Sequence, residues 1–313
     1  MTITLNGNNL KIEDISKLIA KRDVVVKIAT SATASLNKAK DFLEKESNRK
    51  IIYGVNTGFG PMASHIVGRS KLVELQENLI RSHAVGMGDP IPEEYVLACM
   101  MVRLNTLIKG FSGVSPQLIK QLQTFINRRI IPVVPEHGAV GTSGDLVQLA
   151  HIALALIGEG EVFYKGRRHQ TSKLLAQLKV PPHKLRLKEG LALINGTSMM
   201  AGIAALLCVE AKRLASISIR NGAFSLELVR GFSDSISERL HNLRPHEGQR
   251  IVARELRRIL SSSSLLRNRG KFQQTFEVTD SVHTIPEGVQ EVYSLRCIPQ
   301  MGLARSLLRL RRP

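Results

Sequence analysis

Residues 138–162, GAVGTSGDLVQLAHIALALIGEGEV, decide how this chain folds. Leu146 to Ile157 is apolar nearly all round, the pattern of a helix buried on every side rather than one lying on a surface. Gly158 and Gly160 stop it, and Glu161 to Gly166 reads as a short strand and turn. Ahead of the helix, Gly138-Ala139-Val140-Gly141-Thr142-Ser143-Gly144-Asp145 is a glycine-rich loop, the composition that lets backbone turn sharply or approach closely. Its plain reading is a helix N-terminus, with Ser143 or Asp145 capping the orphan N–H groups of the buried helix.

Working outward, helical spacing recurs. Lys71 to His83 places Leu72, Leu75, Leu79 and Ile80 on one face, and Pro92 to Ile108 gives a second helix with proline at its start. Ser115 to Asn127 gives a third, with Ser115 as cap and Pro116 in the first turn. Thr197 to Val229 is helical in pattern with a break expected near Asn221-Gly222, and Arg250 to Leu260 forms another helix. Ser261 to Glu287 reads as polar loop, strand patterns are few, and the fold class is mainly α.

Length and composition narrow the function. The 313 residues suffice for one large domain or two ordinary ones, and an apolar share of 43% supports a sizeable core. The polar N-terminus does not read as a secretory signal, and the apolar stretch Leu191 to Leu207 is interrupted at Asn195, Gly196 and Thr197, so the expectation is a cytoplasmic protein with no membrane partner. Cys99, Cys208 and Cys297 lie at wide, irregular spacing, which supports neither a disulfide framework nor a metal site and points to buried thiols. The net charge of +18 raises nucleic-acid binding as a distant alternative. Scattered Lys and Arg, with 4% aromatic residues and no tryptophan, argue against nucleic acid as a partner.

The loop at Thr142 to Gly144 carries a second, chemical reading. Attack of the Gly144 nitrogen on the Thr142 carbonyl closes a five-membered ring, and glycine suits that position because a Cβ would obstruct the approach. Loss of the carbonyl oxygen as water gives an imidazolone, and loss of the Ser143 hydroxyl as a second water leaves an exocyclic methylidene, an electrophile needing no metal. A tight, buried loop would store strain that favours closure.

The stretch 138–162 resembles the cofactor-forming loop and following helix of the ammonia-lyase family that contains the histidine, phenylalanine and tyrosine lyases. The usual tripeptide there is Ala-Ser-Gly, and Thr142 departs from it in a residue that supplies only a carbonyl and a ring substituent. Three more motifs follow in family order: Tyr53 to Gly60 (YGVNTGFG) resembles the inner active-site loop, Leu193 to Thr197 (LINGT) the asparagine motif, and Gln290 to Cys297 (QEVYSLRC) the carboxylate-binding segment.

The resemblance implies a fumarase/aspartase-like fold: an N-terminal domain over 1–195 bearing the methylidene-imidazolone group, the start of a long-helix bundle over 196–300, and a homotetramer. It implies Tyr53 as the base that takes the β-proton, with Tyr293 supporting proton transfer, and Thr142, Ser143 and Gly144 forming the electrophile with help from Asp145. Arg296 would hold the substrate carboxylate with its bidentate fork. Asn195 and Gln290 would bond the ring or substrate, Gly60 would belong to the substrate-binding loop, and Asn195 could instead be a helix cap before Gly196-Thr197-Ser198. His83 falls where members read the substrate ring and favours tyrosine or histidine. The activity implied is elimination of ammonia from an aromatic L-amino acid, with an aminomutase or an inactive truncated remnant as alternatives. The last residues, 301–313 (MGLARSLLRLRRP), form a basic tail unlike the family's continuation and suggest truncation.

Overall fold

The computed structural model describes residues 1–268 and residue 271. In chain order the elements are β1 (Thr2–Leu5), α1 (Ile12–Ala20), β2 (Val25–Ile28), α2 (Thr30–Ser47), α3 (Leu72–His83), β3 (Met87–Pro90), α4 (Glu93–Leu107), α5 (Pro116–Arg128), β4 (Ile131–Pro132) and β5 (Pro135–His137). There follow α6 (Leu146–Leu156), β6 (Glu161–Tyr164), β7 (Arg167–Gln170), α7 (Thr171–Gln177), α8 (Glu189–Ile194), α9 (Ser198–Leu228), α10 (Glu238–Asn242) and α11 (Glu247–Ile259). The fold is mainly α. The chain divides into two compact units, Met1–Leu207 and the residues from Cys208 onward, with the division falling inside α9.

The first unit is built around helices whose apolar faces leave no room for water. Ile80 of α3, Leu104 of α4, Phe125 of α5, Leu156 of α6 and Ile194 of α8 are all fully buried in one core. No residue of α6 is exposed, as its all-round apolar pattern demands. On α5 the Ser115 Oγ accepts the Leu118 N–H at 3.3 Å and Pro116 occupies the first turn, as the sequence suggests. Three small sheets trim this core: β1 pairs in parallel with β2, β3 in antiparallel with β5, and β4, β6 and β7 form an antiparallel sheet. The expected strand and turn at 161–166 is the first arm of a hairpin, turned by Lys165 and Gly166 with φ of 50° and 74°, a pair of left-handed residues that matches strand twist.

In the second unit Ala223, Ile236, Val252, Leu256 and Leu260 form a small core of their own. The break expected near Asn221-Gly222 is absent, and α9 runs unbroken to Leu228. A Cβ at Gly222 would meet only open space, so glycine there costs helix propensity without any packing reason to stop the helix. Of the loop expected over 261–287, residues up to 268 are turns, bends and coil with a bridge at Arg267, and beyond them only residue 271 is described. The basic tail 301–313 also lies outside them. Periodicity did not reveal α1, α2 or the β1–β2 pair. α2 buries only Ala32 and Leu36 and so carries little amphipathic pattern.

Candidate active site

The loop before α6 and the turn before α9 meet. Ser143 and Gly144 both take left-handed backbone, φ of 61° and 97°. Gly144 bridges to Gly141 within the loop and to Gly196 across it, and the Asp145 N–H donates to the Gly196 carbonyl at 2.8 Å. A Cβ on Gly144 would collide with the Gly196 carbonyl, so only glycine permits this approach. The first turns of α6 and α9 thus begin within two residues of a shared contact, and both helix N-termini carry partial positive charge.

Asp145 does something other than the expected cap. Its side chain makes no bond to the first turn of α6; its Oδ2 instead accepts the Met199 and Met200 N–H groups of α9, at 2.9 and 3.0 Å. The physical reason is the turn of the chain. Asp145 stands with its backbone against Gly196, and the nearest orphan N–H groups belong to α9. A second expectation also fails: the loop is not buried. Thr142 and Ser143 are exposed, Val140 is 83% exposed, and burial begins only at Asp145, 7% exposed.

Asn195 is the C-cap of α8, the helix before it, rather than a cap on α9, the helix entered through Gly196-Thr197-Ser198, and it is exposed one residue before the Gly196 that bridges to Gly144. Behind it, Arg103 of α4 is 4% exposed, and its Nη2 donates to the carbonyls of Ala192 and, at 2.8 Å, Asn195. Burial pulls its pKa down to about 10, countered by Cys99 and Asp145, so it is a cation at neutral pH. The neighbouring Cys99 thiol is fully buried and pushed up by that burial, whereas Cys208 is only half-buried and Cys297 lies outside the described residues.

The Tyr53 loop reaches the same region through one side chain. Tyr53 is 53% exposed, its phenol oxygen accepts the Gly60 N–H at 3.2 Å, and its ring meets Phe59 edge-on at 6.4 Å. Gln76 of α3, fully buried, donates to the Gly54 carbonyl at 3.1 Å and accepts the Leu191 N–H of α8 at 3.0 Å. Gln76 therefore ties the Tyr53 loop to the helix that ends in Asn195. His83 closes α3, half-buried, with Nδ1 at 2.8 Å from the Leu79 carbonyl. Three residues on, the Gly86 N–H donates at 3.1 Å to Nε2 of His151 on α6, whose pKa burial lowers.

These contacts join two motifs through main chain, Thr142–Asp145 with Asn195–Gly196, and a third through Gln76. Gln290, Tyr293 and Arg296 lie outside the described residues. Among the described residues no cluster of His, Cys, Asp or Glu could hold a metal ion, and no helix is long and apolar enough to cross a membrane.

A family model described as aromatic amino acid lyase matches residues 10–311. The chain belongs to that family. The histidine ammonia-lyase of Macrococcus caseolyticus is 41% identical over 302 residues, covering 96% of this chain and 57% of that protein. The probable histidine ammonia-lyase of Thermoplasma volcanium is 40% identical over 300 residues, with the same coverage. Among solved structures, tyrosine aminomutase from Streptomyces globisporus superposes with a TM-score of 0.84 at 36% identity, over 96% of this chain and 57% of that one. Histidine ammonia-lyase from Trypanosoma cruzi superposes at 0.81 and 31% identity, over 97% of this chain and 54% of that one. This aromatic amino acid lyase chain thus spans a little over half the length of the relatives it matches.

Motif reading passed over Gln76, Arg103 and His151. Each is a polar residue set in an apolar run of a lyase helix: Gln76 among Leu75, Leu79 and Ile80, Arg103 within MMVRLNTL, His151 within LAHIALAL. A polar group buried in that phase must find a hydrogen-bond partner, and that requirement is the clue that would have found them.

Proposed function

We propose that residues 53–197 carry the electrophile-forming part of an ammonia-lyase site for aromatic L-amino acids. The observation supporting this most is the contact at Gly144, whose backbone fits against Gly196 only without a Cβ, next to a serine already in left-handed backbone. Holding Ser143 there costs about 1–2 kcal/mol, strain that closing the ring can release. In the closure the Gly144 nitrogen bonds to the Thr142 carbonyl carbon. The carbonyl oxygen leaves as water with the amide protons of Gly144 and Ser143. The Ser143 hydroxyl then leaves as a second water with its Cα proton. The product supplies an electrophilic carbon for the substrate's amine.

The remaining roles belong to the chain's side chains. Tyr53, exposed with its oxygen directed by the Gly60 N–H, takes the β-proton. Asn195 adjoins Gly196, whose backbone meets Gly144, and by resemblance its amide bonds the ring or substrate, while the carboxylate of Asp145 fixes the start of α9. By resemblance, Gln290, Tyr293 and Arg296 complete the site, with Arg296 on the substrate carboxylate, in a homotetramer. Histidine is the first substrate to test, because the curated relatives carry that name and His83 stands at the end of α3. A tyrosine aminomutase outcome is the second reading, supported by the likeness to the Streptomyces enzyme and by Thr142.

Mass spectrometry of the peptide containing residues 142–144 tests the closure: a mass two waters short is expected, and an unshortened mass overturns it. Ammonia release from histidine, tyrosine and phenylalanine, with the product scored as unsaturated acid or β-amino acid, then separates lyase from mutase.

A further inference from the structure

Arg103 lies outside every motif above, yet it is the buried cation nearest to them. It stands on α4 among fully buried Met100, Met101 and Leu104, and its Nη2 bonds two carbonyls, Ala192 and Asn195, at the end of α8. A cation donating to the last carbonyls of a helix satisfies orphan acceptors and opposes the negative end of its dipole. Its Nη1 side is pressed against the Cα of Gly196, so closely that a Cβ there would overlap the guanidinium. Its Nε is buried with no partner, and among the described residues no carboxylate comes within ion-pair distance. A buried charge left this bare costs stability. What it obtains in return is fixed geometry at one place, the Asn195–Gly196 turn, whose carbonyl receives the Asp145 N–H and against which Gly144 rests.

We propose that Arg103 is a positioning residue for the self-processing loop: its guanidinium clamps the Asn195–Gly196 turn against Gly144 and Asp145, so that the tripeptide is held in the shape that closes. The clamp has two jaws. Arg103 grips the C-terminal end of α8, and Asp145 grips the N-terminal end of α9, on either side of the same three-residue turn. One guanidinium nitrogen, Nη2, bonds both carbonyls while the other, Nη1, lies against Gly196, and a lysine with a single ammonium nitrogen is an incomplete substitute for the pair. The consequence for ring formation rests on the closure reading given above; the clamp itself does not.

The test compares the parent chain with Arg103→Met and Arg103→Lys by amide hydrogen exchange and by the mass of the 142–144 peptide. In the parent, the Asp145 and Asn195 amides are bonded to Gly196 and Leu191. In Arg103→Met those two amides are expected to exchange roughly tenfold faster while amides of α5 stay protected. The peptide should lose its two waters to a correspondingly smaller extent, with Arg103→Lys between the two. Parent-like exchange and parent-like water loss in Arg103→Met would overturn the proposal. If Arg103→Met opens α5 as well, Arg103→Lys decides. Faster exchange confined to Asp145 and Asn195 supports the clamp, while parent-like exchange, or opening of α5 in both variants, makes Arg103 a residue of the fold alone and overturns it. A parent chain of unshortened mass sinks the closure reading, and the exchange measurement still judges the clamp.

Discussion

At the scale of single residues, Gly144 and Ser143 make opposite demands. Gly144 is excluded from carrying a side chain by the Gly196 carbonyl, and its φ of 97° is unfavourable for any other residue. Gly144→Ala is therefore expected to lower stability by about 1–3 kcal/mol and to leave the 142–144 peptide at full mass, read by urea denaturation and mass spectrometry. A variant as stable as the parent and two waters short would contradict the close approach. Ser143 is exposed, so Ser143→Ala should keep helical circular dichroism unchanged while abolishing near-ultraviolet absorbance beyond the tyrosines. These residues were legible in the sequence because composition alone marks a glycine-rich turn before an apolar run. The partner of Asp145 was not legible: a capping side chain looks the same in sequence whether it caps its own helix or one starting 53 residues later at Ser198.

At the scale of elements, α8 is a short helix tied at both ends to other parts of the chain, at its start by its own Glu189 and at its end by Arg103 of α4. At its start Glu189, 1% exposed, accepts the Ser115 N–H at 2.8 Å, the Arg186 N–H at 2.9 Å and His183 Nε2 at 2.8 Å. Burial alone would raise the Glu189 pKa, but the bond and charge of His183 and the Ser115 N–H outweigh it and hold the carboxyl below its ordinary 4.5. A carboxyl depressed in the folded state contributes stability that is fully present above the unfolded value and is lost as pH falls through the folded one. The urea midpoint should therefore drop as pH is lowered below 4.5, and Glu189→Gln should flatten that dependence. The same substitution should cost about 3 kcal/mol at pH 7, because it leaves buried partners of a charge facing a neutral amide. A Glu189→Gln chain with parent stability at pH 7 would show that the network adds nothing. At the start of α9, Asp145→Ala should cost about 1–2 kcal/mol by uncapping Met199 and Met200, again read by urea denaturation. Helix periodicity made α3, α4, α5, α6 and α9 readable, whereas α2 was silent since so few of its side chains enter the core.

At the scale of the molecule, the second unit leaves Leu214, Ile217, Phe224 and Leu228 of α9 exposed, spaced so that they share one face of the helix. An apolar face of that kind drives association, so the chain should form concentration-dependent oligomers in light scattering, and Phe224→Glu with Leu228→Glu should reduce them. A strictly monomeric parent at high concentration would refute this. The sequence by itself determined the mainly α class, the buried α6 and the tripeptide that precedes it, because those follow from local spacing, from glycine's freedom and from motif order. Only the tertiary structure decided that Asp145 serves α9, that Gln76 ties the Tyr53 loop to α8, and that Arg103 lies under the Asn195 turn. These are contacts between residues tens of positions apart. No local pattern encodes which buried polar group meets which backbone end; that is settled when the core packs and each such group must find a partner or remain unsatisfied.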